Sequence, residues 1–333
     1  MRIALDAMGG DDAPAETIAG AILAAREYGL EVVLVGQPDA INAELAKADT
    51  SGLALPIEPA ASVIPMDEHQ PSTAWRRQRD SSLSVALQML ADHKVDAVVS
   101  AGNTGAVVSG GTFILRRISG FDRPALGIPF PAMGDIGKVF LADVGATPDA
   151  KAAYLVQWAR MGVIYTERVL GIKNPRVALV SNGEEETKGN ELVRETFDLL
   201  EKSDLNFIGN IEGKDIPFGA ADVVITDGFT GNVILKSVEG TAKMILDTLR
   251  AELTSSLVSK LLAAGLRSNF RRVAARLDYA EYGGSLVMGL DGILIKAHGR
   301  SNAKAIKNAL RVAKSAVEQG VIEAVRQGVT TDV

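Results

Sequence analysis

The chain has 333 residues, 47% of them hydrophobic and 23% charged, with a formal net charge of −6 and no cysteine. That composition is globular, and its acidic balance argues against nucleic acid as the main partner, because phosphate contacts need a basic surface. Without cysteine there can be no disulfide, thiolate metal site, iron–sulfur cluster or cysteine nucleophile.

The opening MRIALDAMGGDDAP meets Gly and Asp before an apolar stretch forms, so no secretory signal is expected there. No window is apolar over the length of a membrane span. A soluble, cytoplasmic α/β protein is therefore expected. Ile3-Ala4-Leu5 reads as a strand, and Ile18, Ile22 and Ala25 mark one face of a helix. Asp12 is its candidate N-cap, Pro14 falls in its first turn and Gly29 closes it. Glu31 to Val35 is a second strand, and strand–helix–strand order implies a parallel sheet. The alternation continues with a strand at Leu53 to Glu58, a helix at Ser81 to His93 and a buried strand at Val95 to Ser100.

A helix over Gly105 to Arg116 leads to strands at Leu126 to Pro131 and Lys138 to Asp143, then a long helix over Asp149 to Leu170. Strands follow at Arg176 to Ser181, Phe207 to Ile211 and Asp222 to Thr226, with a helix at Gly189 to Leu200. A helical region runs from Gly231 to Leu277, interrupted near Gly265. Strands at Leu286 to Met288 and Gly292 to Lys296 and a final helix over Ser301 to Gln327 complete the order. No repeat or linker composition appears, so residues 1–333 are expected to form one α/β/α unit, compact or two-lobed.

In open α/β sheets, ligands bind beyond the carboxyl ends of the strands. Asp6-Ala7-Met8-Gly9-Gly10-Asp11 lacks the dinucleotide fingerprint and reads most simply as a tight turn. Ser100-Ala101-Gly102-Asn103-Thr104-Gly105-Ala106 follows the clearest strand; its glycines free backbone N–H groups for an anion, at the start of a helix. Ser181 to Asn190 carries Glu184-Glu185-Glu186, a solvated helix start by composition, followed by Lys188 and Asn190. Thr226-Asp227-Gly228-Phe229-Thr230-Gly231-Asn232 repeats the chemistry of the second loop and leads to Lys236. His298 sits in a last such segment, whereas His69 and His93 receive no role. Neither a GxSxG elbow nor a Walker motif occurs. The residues alone support a small-anion or phosphate site on an α/β sheet.

Together these segments resemble the PlsX family of bacterial phosphate acyltransferases. The likeness rests on IALDAMGGDDAP, RDSSLSVAL, DAVVSAGNTGA, NGEEETKGNEL, DVVITDGFTGNVILK and KAHGRS, in that order and nearly end to end. It departs from the family at Trp75-Arg76-Arg77-Gln78-Arg79, where relatives tend to be Lys-rich, and the Met66–Pro71 loop receives no role. The resemblance implies a three-layer α/β/α fold with a mostly parallel sheet, related to phosphotransacetylases and to isocitrate/isopropylmalate dehydrogenases. It implies transfer of a long-chain acyl group from acyl carrier protein (ACP) to inorganic phosphate, with no cofactor and no metal. It further implies a homodimer, supply of acyl phosphate to a membrane glycerol-phosphate acyltransferase, and a cytoplasmic enzyme peripherally associated with the membrane.

On that resemblance the expected catalytic residues are Asn103, Lys188, Asn232, Lys236 and His298. Gly102, Asn103, Thr104, Gly105, Thr230 and Gly231 are the expected phosphate-binding set. A metal- and NAD-dependent dehydrogenase would instead need Asp227 and Glu184 to Glu186 as ligands, and a non-enzymatic scaffold would need no turnover at all. Residues 251–278 are expected to protrude as an amphipathic helical hairpin. There Leu253, Leu257, Val258, Leu261 and Leu262 recur at helical spacing, followed by Leu266, Phe270, Val273 and Leu277. Arg267, Arg271, Arg272 and Arg276 cluster on another side, which suits plain dimer packing, ACP or an anionic bilayer.

Overall fold

Short aliphatic runs ending in polar turns become the strands of one 11-stranded sheet among the residues that the computed structural model describes, 1–134, 137–277 and 279–329. In chain order the strands are β1 (Arg2–Asp6), β2 (Glu31–Gly36), β3 (Ile57–Pro59), β4 (Ala97–Ser100), β5 (Ala125–Pro131) and β6 (Lys138–Ala142). They continue with β7 (Val177–Ser181), β8 (Phe207–Glu212), β9 (Val223–Ile225), β10 (Ser285–Met288) and β11 (Ile293–Lys296). Across the sheet the order is β3-β2-β1-β4-β11-β10-β5-β6-β9-β7-β8.

Two parallel blocks make up this sheet. The block β3-β2-β1-β4-β11 and the block β6-β9-β7-β8 run in opposite directions, joined through β10 and β5 by antiparallel pairings. β5 pairs with β10 through its first half (Gly127 with Leu286) and with β6 through its second (Ile128 with Leu141 onward). The blocks are thus displaced along β5, and that displacement brings their carboxyl ends to one row. Lys296 of β11 lies opposite Ser285 of β10, beside Ser100 of β4, while the carboxyl end of β6 faces the middle of β5. The antiparallel bridge was not legible in the run of strand–helix alternation.

Helices cover both faces, so the strands alternate between two apolar layers, as Ile3 and Leu5 against Ala4 and Val32 and Leu34 against Val33. In chain order the helices begin with α1 (Ala15–Tyr28), α2 (Pro38–Leu45), α3 (Pro71–Arg77), α4 (Ser82–Ala91), α5 (Thr104–Ile114) and α6 (Ala152–Tyr165). The rest are α7 (Glu191–Glu201), α8 (Gly228–Leu253), α9 (Leu257–Gly265), α10 (Arg267–Leu277), α11 (Ala303–Glu318) and α12 (Val321–Val329). Residues of α1, α6, α7, α11 and α12 fill one layer, and α4, α5 and the base of α8 fill the other. This is the expected three-layer α/β/α arrangement.

Several local expectations change. The α1 cap position is Pro14 rather than Asp12, without a side-chain cap, and Gly29 closes the helix at φ 63° as expected. α2 and α3 were not anticipated; each is short and opens on a proline at its first positions. The last helical region breaks at Gly320, whose φ is 59°. α8 starts at Gly228 and the chain breaks again at residues 254–256 before α9. Leu257, Val258 and Leu266 are more than half exposed. The arginines Arg267, Arg271 and Arg272 are exposed too. The side chains of Leu261, Leu262, Arg276 and Leu277, and all of Asp278, lie outside the described residues.

Candidate active site

At the row where the two blocks meet lies a cavity of about 310 Å³. Thr104 from the first turn of α5 lines it, with Val144 and Gly145 after β6, Asn232, Lys236 and Glu239 along α8, and Ser285, Lys296, His298 and Ser301 from the last strands and the turn after them. The first turns of α5 and α11 both reach this cavity through Thr104 and Ala305, and the Glu16 carboxylate accepts the Ala303 N–H at the start of α11.

Lys236 and His298 form its centre. The Lys236 ammonium lies 2.9 Å from His298 Nε2 and pairs with Glu239 at 2.7 Å. His298 Nδ1 lies 3.1 Å from the Arg300 backbone N–H, and because a neutral imidazole has a single acceptor nitrogen it accepts either this bond or the one from the Lys236 ammonium at Nε2. Burial, then the charges of Lys236 and Lys296, push the imidazole pKa below its ordinary value, so the ring is neutral at neutral pH. A lysine ammonium and an imidazole thus share the cavity wall.

Asn232 projects from the second turn of α8. Gly231 before it permits a close approach: a Cβ there would lie 1.9 Å from the Asp143 carbonyl oxygen. The Asp143 carboxylate accepts backbone N–H groups from Leu126, Gly145, Ala146 and Thr147 at 2.7–3.2 Å, opposing the rise in its pKa that burial causes. The turn after β6 is thereby fixed against the start of α8, with Gly145 beside Asn232.

The predicted residues separate into two groups. Thr104, Asn232, Lys236 and His298 line the cavity together. The others serve local structure: Asn103 caps α5, accepting from Ala106 N at 3.2 Å and donating to Met66 O at 2.8 Å. Gly102 N–H donates to Ser100 Oγ, and Gly105 makes room for Pro71 of α3. Thr230 gives both its N–H and its hydroxyl to the Asp227 carboxylate, at 2.9 and 2.7 Å, and Gly231 N–H goes to Asp227 O. Asp227 is accordingly the cap of α8, which uses the oxygens a metal would require. Lys188 is exposed after β7, near the far edge of the sheet, and does not line the cavity; Glu184 to Glu186 are exposed beside it.

Sequence reading missed Lys296, Glu239 and Ser285. Lys296 passed as the end of an apolar strand and Ser285 lay just outside the predicted strand; only the β10–β11 register brings them together. Behind the site, Ser100 Oγ donates to Asp6 Oδ2 at 2.7 Å, and burial raises the Asp6 carboxyl pKa against those contacts.

Two further spaces open from the cavity. A groove of about 1020 Å³ shares Lys236, Glu239 and His298 with it and runs between α8 and α10 past Lys243, Arg271, Arg300 and Lys304. A narrow apolar slot shares Ile128, Leu235 and Glu239 and continues past Phe130, Val238 and Ala242. No helix among the described residues is long and apolar enough to cross a membrane.

This architecture is that of the phosphotransacetylases. A phosphotransacetylase from Streptococcus pyogenes superposes with a TM-score of 0.60 at 17% identity, over 99% of this chain and 94% of that one, which shows a shared fold. The chain itself belongs to the family described as fatty acid synthesis protein, the PlsX family, whose model matches residues 1–324. A relative from Desulfitobacterium hafniense (strain Y51), named phosphate acyltransferase, is 48% identical over 328 residues, covering 98% of this chain and 97% of its own. A relative of the same name from Heliobacterium modesticaldum is 49% identical over 328 residues, again 98% and 97%.

Proposed function

We propose that this protein is a phosphate acyltransferase that moves a long-chain acyl group from the thioester of ACP to inorganic phosphate, giving acyl phosphate. The observation that carries the reading is the Lys236–His298 pair, a lysine ammonium 2.9 Å from an imidazole in a cavity that Thr104 and Asn232 also line. Family membership and the name shared by relatives over nearly the whole chain support it.

The chemistry needs little more. Hydrogenphosphate is already an anionic nucleophile, so positioning and charge relief replace an activated side chain. One phosphate oxygen bonds to the thioester carbon as the carbon–sulfur bond breaks. The electron pair leaves with sulfur, and the proton of hydrogenphosphate ends on the thiol. Asn232, Lys236 and His298 are suited to hold the phosphate and the tetrahedral oxyanion, while Thr104 and the end of α5 add donors. Asn103, Gly102, Gly105, Thr230 and Gly231 set the geometry of the two helix starts, and Lys188 lies outside this cavity.

The apolar slot suits the first methylenes of an acyl chain and the basic groove suits the phosphate-bearing arm of a carrier. The exposed Arg267, Arg271 and Arg272 face suits an acidic carrier protein, and the apolar Leu257–Val258 tip a membrane surface, in a homodimer that delivers acyl phosphate to a membrane glycerol-phosphate acyltransferase. Incubation with palmitoyl-ACP and phosphate, trapping acyl phosphate with hydroxylamine as the hydroxamate, tests the reaction. Hydroxamate that requires phosphate supports it. Its absence, or reduction of NAD at 340 nm with a hydroxy acid, removes it.

A further inference from the structure

We infer that Lys296 is the principal anion anchor of the cavity, the ammonium that holds inorganic phosphate while the thioester is attacked. This deepens the phosphate acyltransferase reading and rests on it for the identity of the anion.

Three placements carry the inference. Lys296 is the last residue of β11, a central strand, so its backbone is fixed by β4 on one side and β10 on the other. Its side chain lines the cavity on the same face as that of Ser285, its partner across β10. Gly284, at φ 144°, lies so close that a Cβ would come within 2.9 Å of the Lys296 carbonyl oxygen, so this glycine lets the β10 turn pack tightly against the end of β11.

A lysine drawn into protein normally gains a carboxylate partner, because an unpaired buried ammonium is costly. Even lysines that stay partly in solvent have such partners here: Lys236 has Glu239, Lys304 has Glu281 and Lys307 has Glu27, each within 2.8 Å. Among the described residues no ion pair or hydrogen bond engages the Lys296 ammonium. The charged groups around it are Lys236 and Glu239 from α8, Asp11 after β1, and His298 two residues on; Asp11 and Glu239 act on it at longer range only. Burial and Lys236 together lower its pKa to about 8, so the charge is held ready but weakly. A dianion entering between Lys296, Lys236 and His298 supplies the missing counter-charge, and binding restores the proton to the lysine.

This separates Lys296 from Lys236, whose charge already has a carboxylate beside it. It also makes a distinctive pH dependence. In free enzyme kcat/KM for phosphate should fall on the alkaline side near the pKa of about 8. Phosphate, when bound, should move that limb upward, so kcat stays level to higher pH.

The test uses Lys296→Met, Lys296→Arg and the wild type, each as the full chain. Inorganic phosphate titrated by calorimetry, without any acyl substrate, should bind Lys296→Met about thirtyfold or more weakly, as loss of a buried charge-assisted contact does. Lys296→Arg should recover part of that binding, and its alkaline limb in kcat/KM should move beyond pH 10. Wild-type phosphate affinity in Lys296→Met, an unmoved limb in Lys296→Arg, or a stable acyl amide on Lys296 after turnover would each overturn the inference. Because the titration contains no thioester, the anchor is tested even if the acyl donor proves to be other than ACP. Conversely, normal phosphate binding by Lys296→Met in an enzyme that makes acyl phosphate refutes the anchor and leaves the reaction standing.

Discussion

Replacing Gly231 by alanine separates a glycine that lets two backbones meet from one that offers its N–H to phosphate. The new Cβ would sit 1.9 Å from the Asp143 carbonyl oxygen, at least 1.1 Å closer than the 3.0 Å that real Cβ contacts keep. Relief must come from backbone on both sides. Asp143 is held by N–H groups of Leu126, Gly145, Ala146 and Thr147, and Gly231 by its own bond to Asp227 O. Overpacking of a rigid contact costs about 1–3 kcal/mol and occasionally more, and this contact belongs at the upper end, about 3 kcal/mol. For a chain of this size that lowers Tm by roughly 4 °C. Gly240→Ala is the control: it lies in the same helix with nothing within 4 Å of the added Cβ. It should stabilise by about 0.5–1 kcal/mol through helix propensity. Thermal melts of both variants by circular dichroism decide the matter. A Gly231→Ala protein that melts with the wild type but binds phosphate poorly would refute the spacing role and restore the N–H to the anion site.

Asn103→Ala should lose about 1 kcal/mol of stability with its cap and the Met66 tether, and lower turnover less than Asn232→Ala, for which about a tenfold loss is expected; steady-state rates beside melts distinguish them. Lys236→Met should raise the KM for phosphate with little change in Tm, because its pairing with Glu239 is partly exposed; an unchanged KM would place the anion elsewhere. Asp6→Asn should be as stable as the wild type, or more so, at pH 7. The raised carboxyl pKa means Asp6 contributes most below its unfolded value and loses that contribution as pH rises through the native value. The advantage of the variant should therefore shrink on acidification in pH-dependent melts, and an advantage that grows would contradict the sign. Arg267, Arg271 and Arg272 changed together to Glu should raise the KM for acyl-ACP and leave that for phosphate alone, with a wild-type interaction that fades in salt.

Strand runs such as Val95 to Ser100 were legible because burial on both faces leaves an uninterrupted aliphatic string. Helix ends were legible where Gly29 or Ser81 announces them. The site was half legible. His298, Lys236 and Asn232 stood out as polar residues in glycine-rich context, and the fold brings them together. Lys296 did not stand out, because a lysine closing a strand is normally solvated; only the meeting of β4, β11 and β10 draws it inward. Asn103 and Thr230 also stood out, and the structure places them outside the cavity lining. The residue types that bind anions are those that cap helices, and here the caps claim their donors and acceptors first.

Phosphorus NMR of enzyme, acyl-ACP and inorganic phosphate tests the central claim most directly, with thiol release followed in the same sample. An acyl phosphate resonance should grow in step with free thiol, one for one. Both should vanish without phosphate, and both should be severely slowed when Lys236 and His298 are replaced together by Met and Gln. Thiol release that continues without phosphate, or acyl phosphate formed at the wild-type rate by the double variant, would contradict the account.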